Sequence, residues 1–238
     1  MPSKIFGFRE HSKHPFEIKN KSATKAEIII YAPIGESFWG DSISAKQFSD
    51  EIKKLDASVN EITVRINSPG GDVFDGVAIY NRLKQHKAKI IVHIDGLAAS
   101  IASIIALAGD EIIMGEGALY MVHKPWSFAM GNSNDLEEVI NRLMDVEEQL
   151  VSIYAKKTKL DRAEIKKMLS EETWLDADQA IEKGFVDSKA EDSVPIAASV
   201  FDSAKWINKA PKTFKSETDA ISSAKDELKK KIEERLKK

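Results

Sequence analysis

The 238-residue chain contains no cysteine. That excludes disulfide cross-links, thiol nucleophiles and cysteine-ligated zinc. It has no large excess of one charge either: 35 basic residues stand against 38 acidic ones, a formal net charge of −3. Such a balance gives no electrostatic reason to bind nucleic acid or an anionic membrane. Long hydrophobic runs are missing, the longest candidate being Gly96 to Gly109, well short of the ~18 residues of a membrane span. The opening MPSKIFGFREHSKH lacks the apolar centre and small-residue cleavage site of a signal peptide. No GxxxxGK[ST] loop occurs, so any dependence on ATP has to come through a partner. What is present is an ordinary globular composition, 42 % hydrophobic and 8 % aromatic. These features together predict a soluble cytoplasmic α/β protein.

Residues 1–25 are polar and without a clear period, which predicts a flexible N-terminal arm. Ile28 to Tyr31 reads as a buried strand. Ser44 and Gln47 form a capping-box pair, with Ile43 and Phe48 placed as a hydrophobic staple, so a helix starts there. Ile62, Val64 and Ile66 alternate as a strand that ends at Ser68-Pro69-Gly70-Gly71. A helix over Val77 to Gln85, a strand over Ile90 to Ile94, a short helix to Leu107 and strands at Ile112–Met114 and Leu119–Val122 follow. This rhythm of strand and helix predicts a largely parallel sheet. A long helix begins at Asn134, capped by Asn134 and Glu137, with Leu136, Val139, Ile140, Leu143, Val146, Leu150 and Tyr154 on one face. Further helices are expected over Ala163–Leu169 and Asp176–Lys183. A Ser/Ala/Lys/Pro-rich linker is expected over 192–218 and a charged amphipathic helix over 219–238.

Three short segments carry chemistry. Gly96-Leu97-Ala98-Ala99-Ser100 runs from a strand into a helix, where a serine can stand on a tight turn beside free N–H groups. The same serine is equally suited to capping the helix. Asn67-Ser68-Pro69-Gly70-Gly71-Asp72 puts adjacent glycines at a strand end, either to expose N–H groups to a ligand or merely to turn the chain. Tyr120-Met121-Val122-His123-Lys124-Pro125 ends a strand on a histidine. His11 and His14 sit in the polar arm without ligand partners, and His86 and His93 read as structural.

Taken in order, these segments resemble the ClpP-like serine peptidases, whose pattern runs SPGG, then Gly-x-Ala-Ala-Ser, then a histidine with proline two positions later. The resemblance covers about residues 26–191 and implies a ClpP/crotonase-type α/β spiral of ββα units with a projecting long handle helix. It implies a serine endopeptidase that forms ring-shaped homo-oligomers and needs no cofactor, with Ser100 as nucleophile and His123 as general base. It makes the Gly71 and Ile101 N–H groups the oxyanion-hole donors. Aligning Trp174-Leu175 with the family's aromatic pair puts Glu172 at the third catalytic position, with Glu171 and Asp176 as runners-up. Residues 1–30 lack the Asp-Ile-Tyr-Ser-Arg-Leu-Leu-like segment of subunits that work with an ATPase. That departure and the extension past 191 look more like phage and prophage head maturation (prohead) proteases, which cut capsid and scaffold proteins. The competing readings are a Clp subunit serving a AAA+ unfoldase, a crotonase-type acyl-CoA enzyme, and an inert assembly protein on the same fold.

Overall fold

The computed structural model describes residues 16–35 and 42–190. Its centre is built from β-branched alternation. In strand β3 (Glu61–Ser68), Ile62, Val64, Ile66 and Ser68 all turn to the core while the residues between them are half-buried; a period of two segregates side chains to opposite faces of a sheet. β3 pairs in parallel with β2 (Lys25–Ile30) on one side and β4 (Lys89–Ala99) on the other. β5 (Glu111–Met114) and the short β8 (Ser188–Lys189) continue the parallel sheet, and β1 (Phe16–Asn20) closes the opposite edge antiparallel to β2.

Strand β4 is longer than its isoleucine-rich start suggests. Its first part, Ile91–Ile94, pairs with β5, whereas Leu97–Ala99 pairs with β6 (Leu119–Val122). β6 in turn carries β7 (Thr173–Leu175) antiparallel to itself. One strand therefore feeds both the main sheet and a second, smaller strand group, and its small residues allow the close approach. Helices α1 (Ala45–Ile52), α2 (Val73–Lys84) and α3 (Ile101–Ala106) supply the buried partners of that sheet. Where α2 meets α3, a Cβ on Gly76 would lie 2.1 Å from Ile101 Cγ1, so only glycine allows this approach.

Several expectations are corrected here. The flexible arm assigned to 1–25 does not extend through its last third: Phe16–Asn20 is a strand in register with β2, and the Phe16 ring lies 5.8 Å from that of Phe48. Phe16 and Ile18 give only two points of alternation, too few to stand out from a polar stretch. The long helix α4 runs from Ser133 to Lys157, and its capping box is Asn132 with Asp135 rather than Asn134 with Glu137. Its apolar stripe is buried at one end only. Leu150, Val151 and Tyr154 are in the core, whereas Leu136, Ile140 and Met144 are exposed, so the first half of the helix projects as the handle was expected to. α1 is capped by the Ser44 hydroxyl, which accepts from the Gln47 N–H at 3.2 Å, and both Ile43 and Phe48 are fully buried. Helices α5 (Arg162–Ser170) and α6 (Ala177–Lys183) fall where helices were expected. The expected linker over 192–218, the helix over 219–238, and His11 and His14 lie outside the described residues.

Candidate active site

Ser100 stands between β4 and α3 with φ 55° and ψ −129°. A non-glycine residue at positive φ is strained and persists only where its surroundings hold it. Its hydroxyl makes no capping bond to α3, which sets aside the helix-cap reading. Instead, Ser100 Oγ lies 2.8 Å from His123 Nε2. Strand pairing brings the two together. Ala99 on β4 is opposite Met121 on β6, and the Ser100 N–H donates to the Met121 carbonyl at 3.0 Å, so the residue after Val122 lands beside the elbow.

The same logic delivers Glu172. β7 runs antiparallel to β6 with Thr173 opposite Val122, so the residue before Thr173 comes level with the residue after Val122. Glu172 itself has φ 49°. Its Oε2 lies 3.7 Å from His123 Nδ1, an ion-pair distance rather than a hydrogen bond. The Trp174 indole N–H donates to its other oxygen at 3.3 Å. Trp174 is an alignment marker in the sequence, and its service as a donor is legible only in three dimensions. The runners-up have other work: Asp176 caps α6 and Glu171 pairs with Lys167 at 4.0 Å.

His123 is mostly buried, and burial pushes its pKa below the ordinary value of 6.5, with Glu172 pulling the other way. Its imidazole is therefore neutral at physiological pH and able to accept the Ser100 proton.

The Ser68–Gly71 turn packs directly onto the elbow. Ser68 Oγ, fully buried, donates to the Ala32 carbonyl at 2.7 Å and accepts from the Gly70 N–H at 3.2 Å. Ile34 N–H donates to Gly70 O and Asp72 N–H to Ile34 O, both at 2.9 Å. A Cβ on Gly70 would lie 2.7 Å from Ser100 Cβ, and one on Gly71 would lie 2.0 Å from Ile34 O. Both glycines also have positive φ, 90° and 149°, so neither position accommodates a side chain. Among the described residues, neither the Gly71 nor the Ile101 N–H has a hydrogen-bond partner. A serine hydroxyl bonded to a neutral imidazole beside two unpartnered N–H groups can form, and stabilise, an alkoxide adduct of a carbonyl.

Other polar groups fall outside this arrangement. His86 Nδ1 accepts from the Ala88 N–H at 3.1 Å, and His93 sits opposite Arg65 across β3 and β4. Among the described residues no group of three or more His, Cys, Asp or Glu is placed to hold a metal, and no helix is long and apolar enough to cross a membrane.

The Clp protease family model matches residues 11–192, most of the chain. The chain belongs to the Clp protease family. It is accordingly a ClpP-family serine peptidase. The chain is 29 % identical over 187 residues to ATP-dependent Clp protease proteolytic subunit 1 of Protochlamydia amoebophila, covering 75 % of this chain and 90 % of that one. It is 30 % identical over 129 residues to the ATP-dependent Clp protease proteolytic subunit of Deinococcus radiodurans, covering 53 % and 63 %. A solved structure of a ClpP1 point mutant from Listeria monocytogenes superposes with a TM-score of 0.61 at 24 % identity, covering 72 % of this chain and 93 % of that one. That likeness establishes the ClpP-type α/β architecture.

Proposed function

We propose that this Clp-family chain is an endopeptidase in which Ser100 is the nucleophile, His123 the general base and Glu172 the residue that steadies the imidazolium. The 2.8 Å contact between Ser100 Oγ and His123 Nε2, made on a strained elbow, carries this reading. Ser100 Oγ attacks the scissile carbonyl carbon as its proton passes to His123 Nε2. The carbonyl oxygen becomes an oxyanion held by the N–H groups of Gly71 and Ile101. Collapse breaks the C–N bond, His123 returns the proton to the leaving amine, and water hydrolyses the acyl-serine by the same route in reverse roles. No metal or organic cofactor enters.

On this reading the subunits form closed rings that shield the site, and the protein works in the bacterial cytoplasm and inside immature phage capsids. Its substrates are capsid and scaffold proteins. The support is that residues 193–238 continue past the segment matched by the family, long enough for a tether to scaffold. The second reading is a proteolytic subunit fed by a AAA+ unfoldase, favoured by the names of the relatives in Protochlamydia and Deinococcus. Co-expression of wild type or Ser100→Ala with a phage capsid protein and its scaffold separates them by intact mass. Serine-dependent trimming is the expected result. Identical masses in both samples sink the maturation role, and degradation appearing only with an added unfoldase and ATP establishes the alternative.

Glu172 has its own signature. Glu172→Gln is expected to lower kcat by about 10- to 100-fold, less than for a fully buried triad acid because Glu172 is half-exposed and 3.7 Å away. The acid limb of kcat/KM reports His123, and activity falls as pH drops through its depressed pKa. Glu172 raises that pKa, so the variant's acid limb should move to lower pH while its plateau drops. An unchanged limb and plateau would remove Glu172 from the triad.

A further inference from the structure

Beneath the elbow lies a buried hydrogen-bond chain that the proposed triad does not use. The Ser100 carbonyl accepts twice from Ser103, from its N–H at 3.0 Å and from its Oγ at 2.5 Å. Ser103 Oγ lies 2.7 Å from the Tyr154 hydroxyl on α4. The serine has one hydroxyl proton and gives it to Ser100 O, so the phenol is the donor to Ser103. The Tyr120 hydroxyl donates to the Ser103 carbonyl at 2.6 Å. Ser103, Tyr120 and Tyr154 are all buried, and burial pushes both phenols far above their ordinary pKa, so they stay protonated donors at any working pH.

A helix serine that bonds back to the carbonyl three residues earlier is common, and a buried tyrosine normally finds a partner. What is particular here is which carbonyl is held. The Ser100 carbonyl and the Ile101 N–H belong to one peptide unit, planar and trans, and therefore point in opposite directions. Fixing the carbonyl fixes the N–H. Donation to the carbonyl also polarises the N–H at the other end of the same amide. Ser100 has a backbone conformation that this unit would otherwise leave.

We infer that Tyr154 and Ser103 form a positioning relay that aims the Ile101 N–H at the oxyanion. The relay rests on the reading of Ile101 as an oxyanion donor. Through Ser103, which is fifty-one residues from Tyr154 in sequence, it ties the nucleophile's own peptide to the buried end of α4, while the first half of that helix projects. Tyr154 and Ser103 are buried beneath the elbow and act through the amide between Ser100 and Ile101.

The test uses the full-length chain, a fluorogenic peptide and a peptide aldehyde, whose adduct with the serine presents an oxyanion. Tyr154→Phe, which deletes one oxygen, is expected to lower kcat about tenfold, weaken the aldehyde by a similar factor and leave KM unchanged. Ser103→Ala should do the same or more. Tyr120→Phe removes an equally buried hydroxyl bound to a different peptide unit, and should stay within about twofold of wild type in kcat. Equal losses in Tyr154→Phe and Tyr120→Phe, or a wild-type kcat in Tyr154→Phe, overturn the relay and leave only packing. Fluorophosphonate labelling of wild type but not Ser100→Ala separates this failure from that of the serine mechanism. An unlabelled, inactive wild type would sink that mechanism and the relay with it.

Discussion

Ser100→Ala and His123→Ala are each expected to lower peptide hydrolysis by the purified chain by about 10⁵- to 10⁶-fold, and the double variant to be no worse than either. The reason for non-additivity is that the two groups perform one event. Without the imidazole, the Ser100 hydroxyl has no acceptor for its proton; without the hydroxyl, His123 has nothing to deprotonate in the acylation step. What remains is the contribution of the Gly71 and Ile101 N–H groups and of substrate binding, which do not depend on either side chain. Neither change should disturb the fold, since among the described residues the Ser100 hydroxyl caps nothing and His123 Nε2 bonds only to it. Progress curves under single-turnover conditions check this. Losses that multiply in the double variant would mean that the two residues act in separate steps, and a Ser100→Ala variant with undiminished turnover would end the serine mechanism altogether.

The parts of this site that were legible in the sequence are those set by local chemistry. Gly70 and Gly71 are demanded by clashes with Ser100 Cβ and Ile34 O, and such a demand leaves a visible Gly-Gly pair. Ser100 and His123 each close a strand, and strand ends are readable from β-branched runs. The partner of His123 was harder. Glu171, Glu172 and Asp176 are all carboxylates within six residues of one another; the family alignment favours Glu172 through Trp174-Leu175, and the physical reason, the antiparallel register of β6 with β7, is visible only in the fold. No local pattern announces a three-residue strand such as β7. The link from Ser103 to Tyr154 was invisible for a related reason. Tyr154 belongs to an apolar helical stripe, and its hydroxyl acquires meaning only from the residue opposite it. The N-terminal edge failed on signal length, because Phe16 and Ile18 become a strand through pairing with β2 rather than through their own pattern.

The largest expected loss of stability lies away from the site, at Arg65. Its guanidinium grips Asp95 in two places, Nε to Oδ2 at 2.9 Å and Nη2 to Oδ1 at 2.5 Å, and the Tyr31 hydroxyl donates to Oδ2 as well. Asp95 is only 6 % exposed, and burial foremost pushes its carboxyl above the ordinary 3.8, with Tyr31 and Arg65 opposing. Arg65→Ala therefore strands a buried carboxylate with one neutral donor, and should cost about 3–5 kcal/mol near neutral pH. The pH dependence has a definite sign. With its cation gone, Asp95 has a folded pKa further above its unfolded value. The variant's deficit thus grows as pH rises from about 4 through that raised pKa and is smallest in acid, where the carboxyl is protonated in both states. Replacing the whole cluster with apolar groups, Tyr31→Phe with Arg65→Met and Asp95→Leu, should recover most of the loss, because no charge is then left buried. Chemical denaturation of wild type, single and triple variants at pH 5 and pH 8, at one protein concentration, decides the matter. A single variant within about 1 kcal/mol of wild type at both pH values would show that water reaches Asp95 and that the pair is a surface contact. A triple variant as weak as the single would show that packing around Arg65, and not the orphaned charge, sets the cost.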